Sequence, residues 1–228
     1  MITRLRRELQ HAVRLVPWMR VSFYSELRVI VTGGSGLEIG GPSGVFSDAG
    51  IIPIYRHVAA LDNVVFSTQT VWEGRREVGR SFIFHSGKPA GFNHVVEATE
   101  LRDIANASYD YVLAAHCLEH IANPVRALRE WMRVTKPGGR IVVVLPNGRK
   151  TFDRQRPLTT VAHMMEDFDR CVGEDDLTHL PEILKLHDFS LDRRAGTPEE
   201  FKERGLRNFE YRCLHHHVFD QRNGRELL

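Results

Sequence analysis

Residues Tyr109–Asn147 read YDYVLAAHCLEHIANPVRALREWMRVTKPGGRIVVVLPN, and this stretch decides the fold. Tyr109 to Ala115 is a near-continuous apolar run and reads as a strand. A helix is expected from about Asn123 to Val134. Pro124 suits its first turn, and Leu128, Trp131 and Met132 fall on one side. Lys136-Pro137-Gly138-Gly139 stops that helix, and Arg140 to Leu145 (RIVVVL) is the next strand. Apolar strands that alternate with helices indicate a parallel sheet covered on both faces.

Upstream, three further strands are expected. Ser35 to Ile39 runs into a glycine turn, Gly40-Gly41-Pro42-Ser43-Gly44. Val58 to Leu61, within His57 to Phe66, is closed by Asp62. His94 to Ala98 is the third. Downstream the pattern changes. Residues 148–188 are rich in Asp, Glu and His, with helical periodicity in Val161 to Phe168 and Leu180 to Leu186, and read as a polar insert after the fifth strand. Arg193 to Gly205 reads as charged and solvated. Tyr211 to Phe219 reads as extended, with a helix as the alternative, and Gln221 to Leu228 is too polar and short for a packed strand. Either Phe189 to Asp192 forms a sixth strand and the histidine run a seventh, or the sheet lacks a terminal hairpin. The second is preferred because FSLD is short and carries two polar residues, and it leaves the apolar edge of the fifth strand in need of cover. A homodimer would supply it.

The chain has 228 residues, 42% hydrophobic and 26% charged, so it can bury a sizeable core and is neither disordered nor a coiled coil. Lys plus Arg (31) barely exceeds Asp plus Glu (29), which gives no case for nucleic acid. The cysteines form no CxxC pair. No apolar run is long enough for a transmembrane segment. Ile2 to Val16 has apolar residues at helical spacing and an arginine-rich opposite face, which fits a helix covering one edge of the domain, a membrane-surface helix or a targeting helix. Residues 1–30 are set apart as an N-terminal helical segment, and 31–228 as one domain. The expected location is cytoplasmic.

In an open parallel sheet, ligands bind beyond the carboxyl ends of the strands where strand order reverses. A glycine turn after the first strand lets backbone approach a ligand, and an acid about twenty residues later accepts from ribose hydroxyls. Gly40, Gly41 and Gly44 supply the turn, and Asp62 lies twenty-two residues past Gly40. LEIGGPSG (Leu37 to Gly44) resembles motif I of class I S-adenosylmethionine-dependent methyltransferases. Tyr109 to Asn147 is similar to the fourth-to-fifth-strand block of that family, with its Leu-Glu-His and its Lys-Pro-Gly-Gly turn. The resemblance covers roughly residues 35 to 147. It implies a Rossmann-like α/β methyltransferase fold, S-adenosylmethionine as cofactor, and EC class 2.1.1. It places Glu38, Gly40 and Gly44 at the methionine part, Asp62 at the ribose, Glu97 and Ala98 along the adenine, and His116 near the sulfonium. Two features depart from the family pattern. Pro42 replaces a glycine, and Pro53 shortens the helix expected after the turn. IANP, TFDRxRP, EDDLTH, LHD and HHHVF resemble a bacterial subgroup associated with sugar or polysaccharide biosynthesis, which implies a small-molecule or glycan acceptor.

Methyl transfer to oxygen requires an acceptor held near the methyl group and a base for its proton. His120, just past the fourth strand, is the candidate base with His116 beside it; packing of the following helix is the alternative role for His120. In the insert, Asp175 or Asp176 shares a helical face with His179, and His163 with Asp167. Such oxygen-rich sets suit Mg²⁺ or Mn²⁺, so a divalent metal is left open without assigned ligands. If His215-His216-His217 lies in a strand, its outer histidines share a face. The preferred activity is methylation of an oxygen on a sugar or other polar small molecule. The alternatives are a non-catalytic binding scaffold on the same fold and a metal-dependent sugar-processing enzyme.

Overall fold

A computed structural model describes residues 23–70 and 74–228. The amphipathic run Ile2 to Val16 lies outside the described residues. In chain order come α1 (Tyr24–Gly33), β1 (Ser35–Ile39), β2 (Ala60–Val65), β3 (Gln69–Thr70), β4 (Gly74–Arg75), β5 (Gly79–Phe82), β6 (Gly91–Val95), β7 (Tyr109–Ala115), α2 (Pro124–Val134) and β8 (Thr135–Val144). These are followed by α3 (Val161–Asp169), α4 (Leu180–Leu186), α5 (Pro198–Leu206), α6 (Asn208–Tyr211) and α7 (Gln221–Leu227). The main sheet has the order β5-β6-β2-β1-β7-β8. Its pairs are parallel except β5 with β6, and β3 and β4 form a separate antiparallel pair. This is the Rossmann-like, mostly parallel sheet that the sequence implies.

β7 shows why the sheet sits at the centre. Tyr111, Leu113 and Ala115 alternate with Val112 and Ala114, and all five are buried. The first set packs with Tyr24, Leu27 and Val31 of α1 and with Phe46, Ile52 and Ile54. The second packs with Leu37, Ile39 and Val64 and with Ala127, Leu128, Trp131 and Val134 of α2. A strand covered on both faces has no polar alternation, which is why it reads as a continuous apolar run. The side chain of Asn123 caps α2 by accepting from Arg126 N at 3.0 Å, and Pro124 takes the first position. Trp131 is buried and donates from Nε1 to Ala98 O at 3.1 Å, tying α2 to the chain leaving β6. Met132, expected on the packed side, is 59% exposed; Val134 takes that place. Between β7 and β8 the register moves from Tyr109↔Thr135 to Tyr111↔Arg140, so Lys-Pro-Gly-Gly bulges out of the ladder.

Several boundaries differ from expectation. β2 runs Ala60–Val65, so Asp62 lies inside the strand and does not close it. β6 ends at Val95, and Glu97 and Ala98 follow in the loop. Between Gly44 and β2 the helical element is a single 3-10 turn, Tyr55–His57, consistent with Pro53 in that segment. Among the described residues no strand follows Val144, and β8 is the sheet edge. The histidine run is neither strand nor helix: Arg212 adopts a left-handed conformation (φ 50°), and His215, His216 and His217 are all buried. The segment expected to be solvated forms α5, and Phe201 and Ala195 are buried with Leu180, Ile183 and Leu214 in a third cluster. No described helix is long and apolar enough to cross a membrane.

Candidate active site

The carboxyl ends of β1, β2, β6 and β7 enclose a cavity of about 370 Å³, at the point where strand order reverses. Its floor is the turn after β1. Gly40 N donates to Val64 O at 2.8 Å, and its φ of 70° is open to glycine at no steric cost. Gly41 N donates to Asn63 Oδ1 at 2.8 Å, and Asn63 Nδ2 continues to Asn93 Oδ1 at 2.8 Å. Behind the turn, Glu38 is fully buried. It accepts from Tyr55 Oη at 2.8 Å and from Ser43 N at 3.0 Å. A Cβ on Gly41 would lie 2.5 Å from the Glu38 carboxyl carbon, so only glycine fits there. Burial and the Glu38 charge raise the Tyr55 hydroxyl pKa far above its ordinary value, so Tyr55 remains a donor. A Cβ on Gly44 would meet nothing within 4 Å, and Gly44 opens onto the cavity.

The opposite wall carries charge. Arg212 Nη2 lies 2.5 Å from Glu97 Oε1, and Nη1 lies 3.2 Å from Glu97 Oε2 and 3.2 Å from Glu174 Oε2. Its guanidinium stacks 4.7 Å over the ring of Phe66. Glu174 Oε1 accepts from Ala122 N at 3.0 Å. Burial raises the Glu174 pKa to about 7, against the pull of Arg212. Ile39, Val64, Val65, Ala98 and Ile121 supply apolar surface.

A second cleft, about 670 Å³, shares His116, His120 and Arg194 with the cavity. Phe152, Phe201, Arg204 and His215 also line it. His120 Nδ1 lies 3.0 Å from Leu214 O, which can only accept, so the proton sits on Nδ1 and the lone pair on Nε2. Burial, reinforced by His215, lowers the His120 pKa to about 4, and the ring is neutral at pH 7. His215 meets it edge to face at 4.5 Å. His215 Nδ1 is 2.6 Å from Asp153 Oδ2, and Arg156 Nη1 holds the other oxygen at 2.9 Å. Burial works to raise the Asp153 pKa, but the hydrogen bond from His215 and the Arg156 charge hold it below the usual value. His116 is exposed, with φ 53°, and its Nδ1 lies 3.5 Å from Glu119 Oε1. That carboxylate raises the His116 pKa. Glu119, His120 and His215 offer ligand atoms within 4.8 Å of one another.

Of the residues expected at the site, Gly40, Gly44, Glu97, Ala98, His116 and His120 line the cavity together. Glu38 and Gly41 stand behind the turn and shape it. Asp62, expected at the ribose, accepts from Phe92 N at 2.7 Å and Tyr109 Oη at 2.9 Å and is absent from the cavity wall. The position following β2 is Phe66. Arg212 and Arg194 carry no local signal in the sequence, and nothing in the EDDLTH string points its Glu174 at the cavity. Asp153 and His215 lie within the TFDRQRP and HHHVF strings, but a one-dimensional reading gives no reason to pair them.

Residues 70–143 match the model of a methyltransferase domain family. That methyltransferase-domain match covers β7, α2 and most of β8. The chain is 27% identical over 142 residues to a phosphatidylethanolamine N-methyltransferase of Cereibacter sphaeroides, covering 62% of this chain and 63% of that protein. It is 28% identical over 117 residues to the ubiquinone/menaquinone biosynthesis C-methyltransferase UbiE of Vibrio vulnificus strain YJ016, covering 48% of this chain and 44% of that one. The chain thus spans less than two thirds of the curated relatives it matches. Among solved structures, a SAM-dependent methyltransferase from Thermotoga maritima aligns at 22% identity with a TM-score of 0.36, over 67% of this chain and 61% of that one. The trans-methyltransferase CalH in complex with SAH aligns at 14% identity with a TM-score of 0.38, over 53% and 34%.

Proposed function

We propose that this chain is an S-adenosylmethionine-dependent methyltransferase whose acceptor is an oxygen of a sugar or another polar small molecule. The observation that carries the reading is the glycine-floored cavity at the switch point, joined through His116 and His120 to a second cleft. The methyltransferase-domain match over the adjoining strands supports it. The lining suits the cofactor chemically. The open face of Gly44 gives room against the turn, and Val64, Val65 and Ala98 present apolar surface for a purine. Glu97 and Glu174, both held by Arg212, offer carboxylates to an ammonium group and ribose hydroxyls. When bound, the cofactor supplies an electrophilic methyl group.

The chain's own residues orient the acceptor and take its proton. Phe152 and Phe201 pack against the acceptor body, and Arg194 and Arg204 pair with its polar or anionic groups. His215 receives the hydroxyl proton at Nε2, because Asp153 holds its other nitrogen in the donor tautomer. Neutral His120, anchored by Leu214 O, accepts a hydrogen bond that fixes the oxygen in line. Glycan acceptors and a cytoplasmic setting belong to the same reading.

The test is calorimetric titration of the full chain with S-adenosylhomocysteine. Binding in the micromolar range is expected, and Gly44→Leu, which fills the cradle without meeting neighbouring atoms at its Cβ, should abolish binding in a folded protein. Absence of binding by the folded wild-type chain would favour a binding scaffold without turnover. The Glu97–Arg212 pair inside the cavity and Phe66 where an acid was expected are the features that scaffold would retain.

A further inference from the structure

A second histidine cluster lies outside both cavities. His163 and Asp167 sit one turn apart on α3, and His179 immediately precedes α4. His163 Nε2 lies 3.1 Å from His179 Nε2 and 3.4 Å from Asp167 Oδ2. All three ligand atoms fall within 4.8 Å of one another. We propose that His163, Asp167 and His179 bind a divalent zinc-class cation that clamps α3 to the start of α4.

Three observations carry this. Bonds of about 2.0–2.1 Å in a tetrahedral zinc site put neighbouring ligand atoms roughly 3.3–3.4 Å apart, and the edges of 3.1 and 3.4 Å lie close to that value. Asp167 is 4% exposed, and its Oδ2 is buried without a hydrogen-bond partner while aimed at the two rings. One proton shared between the imidazoles accounts for the 3.1 Å contact but leaves that carboxylate oxygen without a donor. A cation satisfies all three atoms at once. Two imidazoles and one carboxylate favour zinc over Mg²⁺ or Mn²⁺, which prefer oxygen-only shells. His163 pairs with Asp167 as the spacing suggests, but Asp176 turns to Thr178, and His179 reaches across to α3 instead of pairing with Asp176. The ring of His163 is 37% exposed, so a cation can reach the cluster from solvent on that side, and buried His217 Nε2 lies 3.9 Å from Asp167 Oδ2 on the other.

The clamp has a structural consequence. Its ligands bracket the segment that carries Glu174, whose carboxylate reaches Ala122 N and Arg212 in the cavity wall. Cation binding therefore fixes the two ends of the segment that delivers Glu174. This assignment does not depend on the methyltransferase reading, and its test reads metal directly.

Chelator-stripped full chain is dialysed against Zn²⁺ and its metal content is measured by mass spectrometry. Wild type should retain one more equivalent than His163→Ala or Asp167→Asn, and His120→Ala, which alters the Glu119–His120–His215 group, should keep that equivalent. Co²⁺ added to the stripped wild type should give the visible absorption of a tetrahedral site, removed by Zn²⁺. Its melting temperature should rise with Zn²⁺, which decides the question even if the variants fail to fold. A wild type that retains no zinc and shows no cobalt band would overturn the proposal. Equal zinc content in wild type and folded His163→Ala would do the same.

Discussion

Replacing Glu174 by Gln should remove a pH dependence of stability that can be sized from the structure. Burial raises the Glu174 carboxyl from 4.5 to about 7 in the folded chain, with Arg212 opposing the rise. Its contribution to stability is fully present below the unfolded pKa and is lost as pH climbs through the folded one. Between those values the unfolded chain gives up the proton while the folded chain keeps it. Each unit of difference costs about 1.4 kcal/mol, so the whole window is worth about 3 kcal/mol, and the span from pH 5 to pH 8 about 2.5 kcal/mol. Urea unfolding of wild type and Glu174→Gln at several pH values measures this as a double difference. Any fixed cost of leaving Arg212 with a weaker partner cancels from that slope. Wild type should lose about 2.5 kcal/mol relative to the variant across that range. A difference that stays flat within about 0.5 kcal/mol would refute the argument that burial dominates at this carboxyl.

Three further outcomes are expected. Asp62→Ala should leave S-adenosylhomocysteine affinity unchanged while lowering stability by about 1–3 kcal/mol, since Phe92 N and Tyr109 Oη lose their acceptor; paired calorimetry and urea unfolding separate the two effects. Gly36→Ala should destabilise by about 1–3 kcal/mol or more, because its Cβ would lie 2.0 Å from the buried Tyr111 ring, and a lowered urea midpoint would show it. Asp153→Asn should cut kcat by about a hundredfold with a small change in acceptor KM, as His215 loses the partner that sets its tautomer; steady-state production of S-adenosylhomocysteine checks this, and an unchanged kcat removes His215 from the proton path.

The centre of the fold was legible because its signals are local. β7, α2 and β8 carry continuous apolar runs, an Asn-Pro start and a Lys-Pro-Gly-Gly stop, each set by neighbouring residues. β2 was misjudged for a physical reason. Asp62 and Asn63 look like a strand end, yet Asn63 is fully buried inside the strand, with its amide satisfied by Gly41 and Asn93. A buried polar residue whose partners are distant cannot be told from a solvated one along the sequence. The glycine turn and the Leu-Glu-His corner were found for the same local reason. Arg212 was not, since it meets Glu97 across 115 residues of chain. The three adjacent histidines suggested one face and one role. They instead contact Asp153, Asn208 and Ala122 O, because the backbone there is irregular and imposes no alternation.

The third buried cluster, built from Leu180, Ile183, Ala195, Phe201 and Leu214, shares no residue with the two cores that flank the sheet. Glu174, Arg212 and His215 are all contributed by the part of the chain that this cluster organises. Among the described residues this cluster holds five buried apolar residues against sixteen and fourteen in the two cores, so its amides are expected to exchange with solvent through a lower-energy, sub-global event. The cavity wall can thus detach and re-form while the sheet stays folded. Ligand entry then needs no permanent portal, and a bound ligand slows deuterium uptake chiefly between about residues 174 and 217, leaving the central strands at their ligand-free rates.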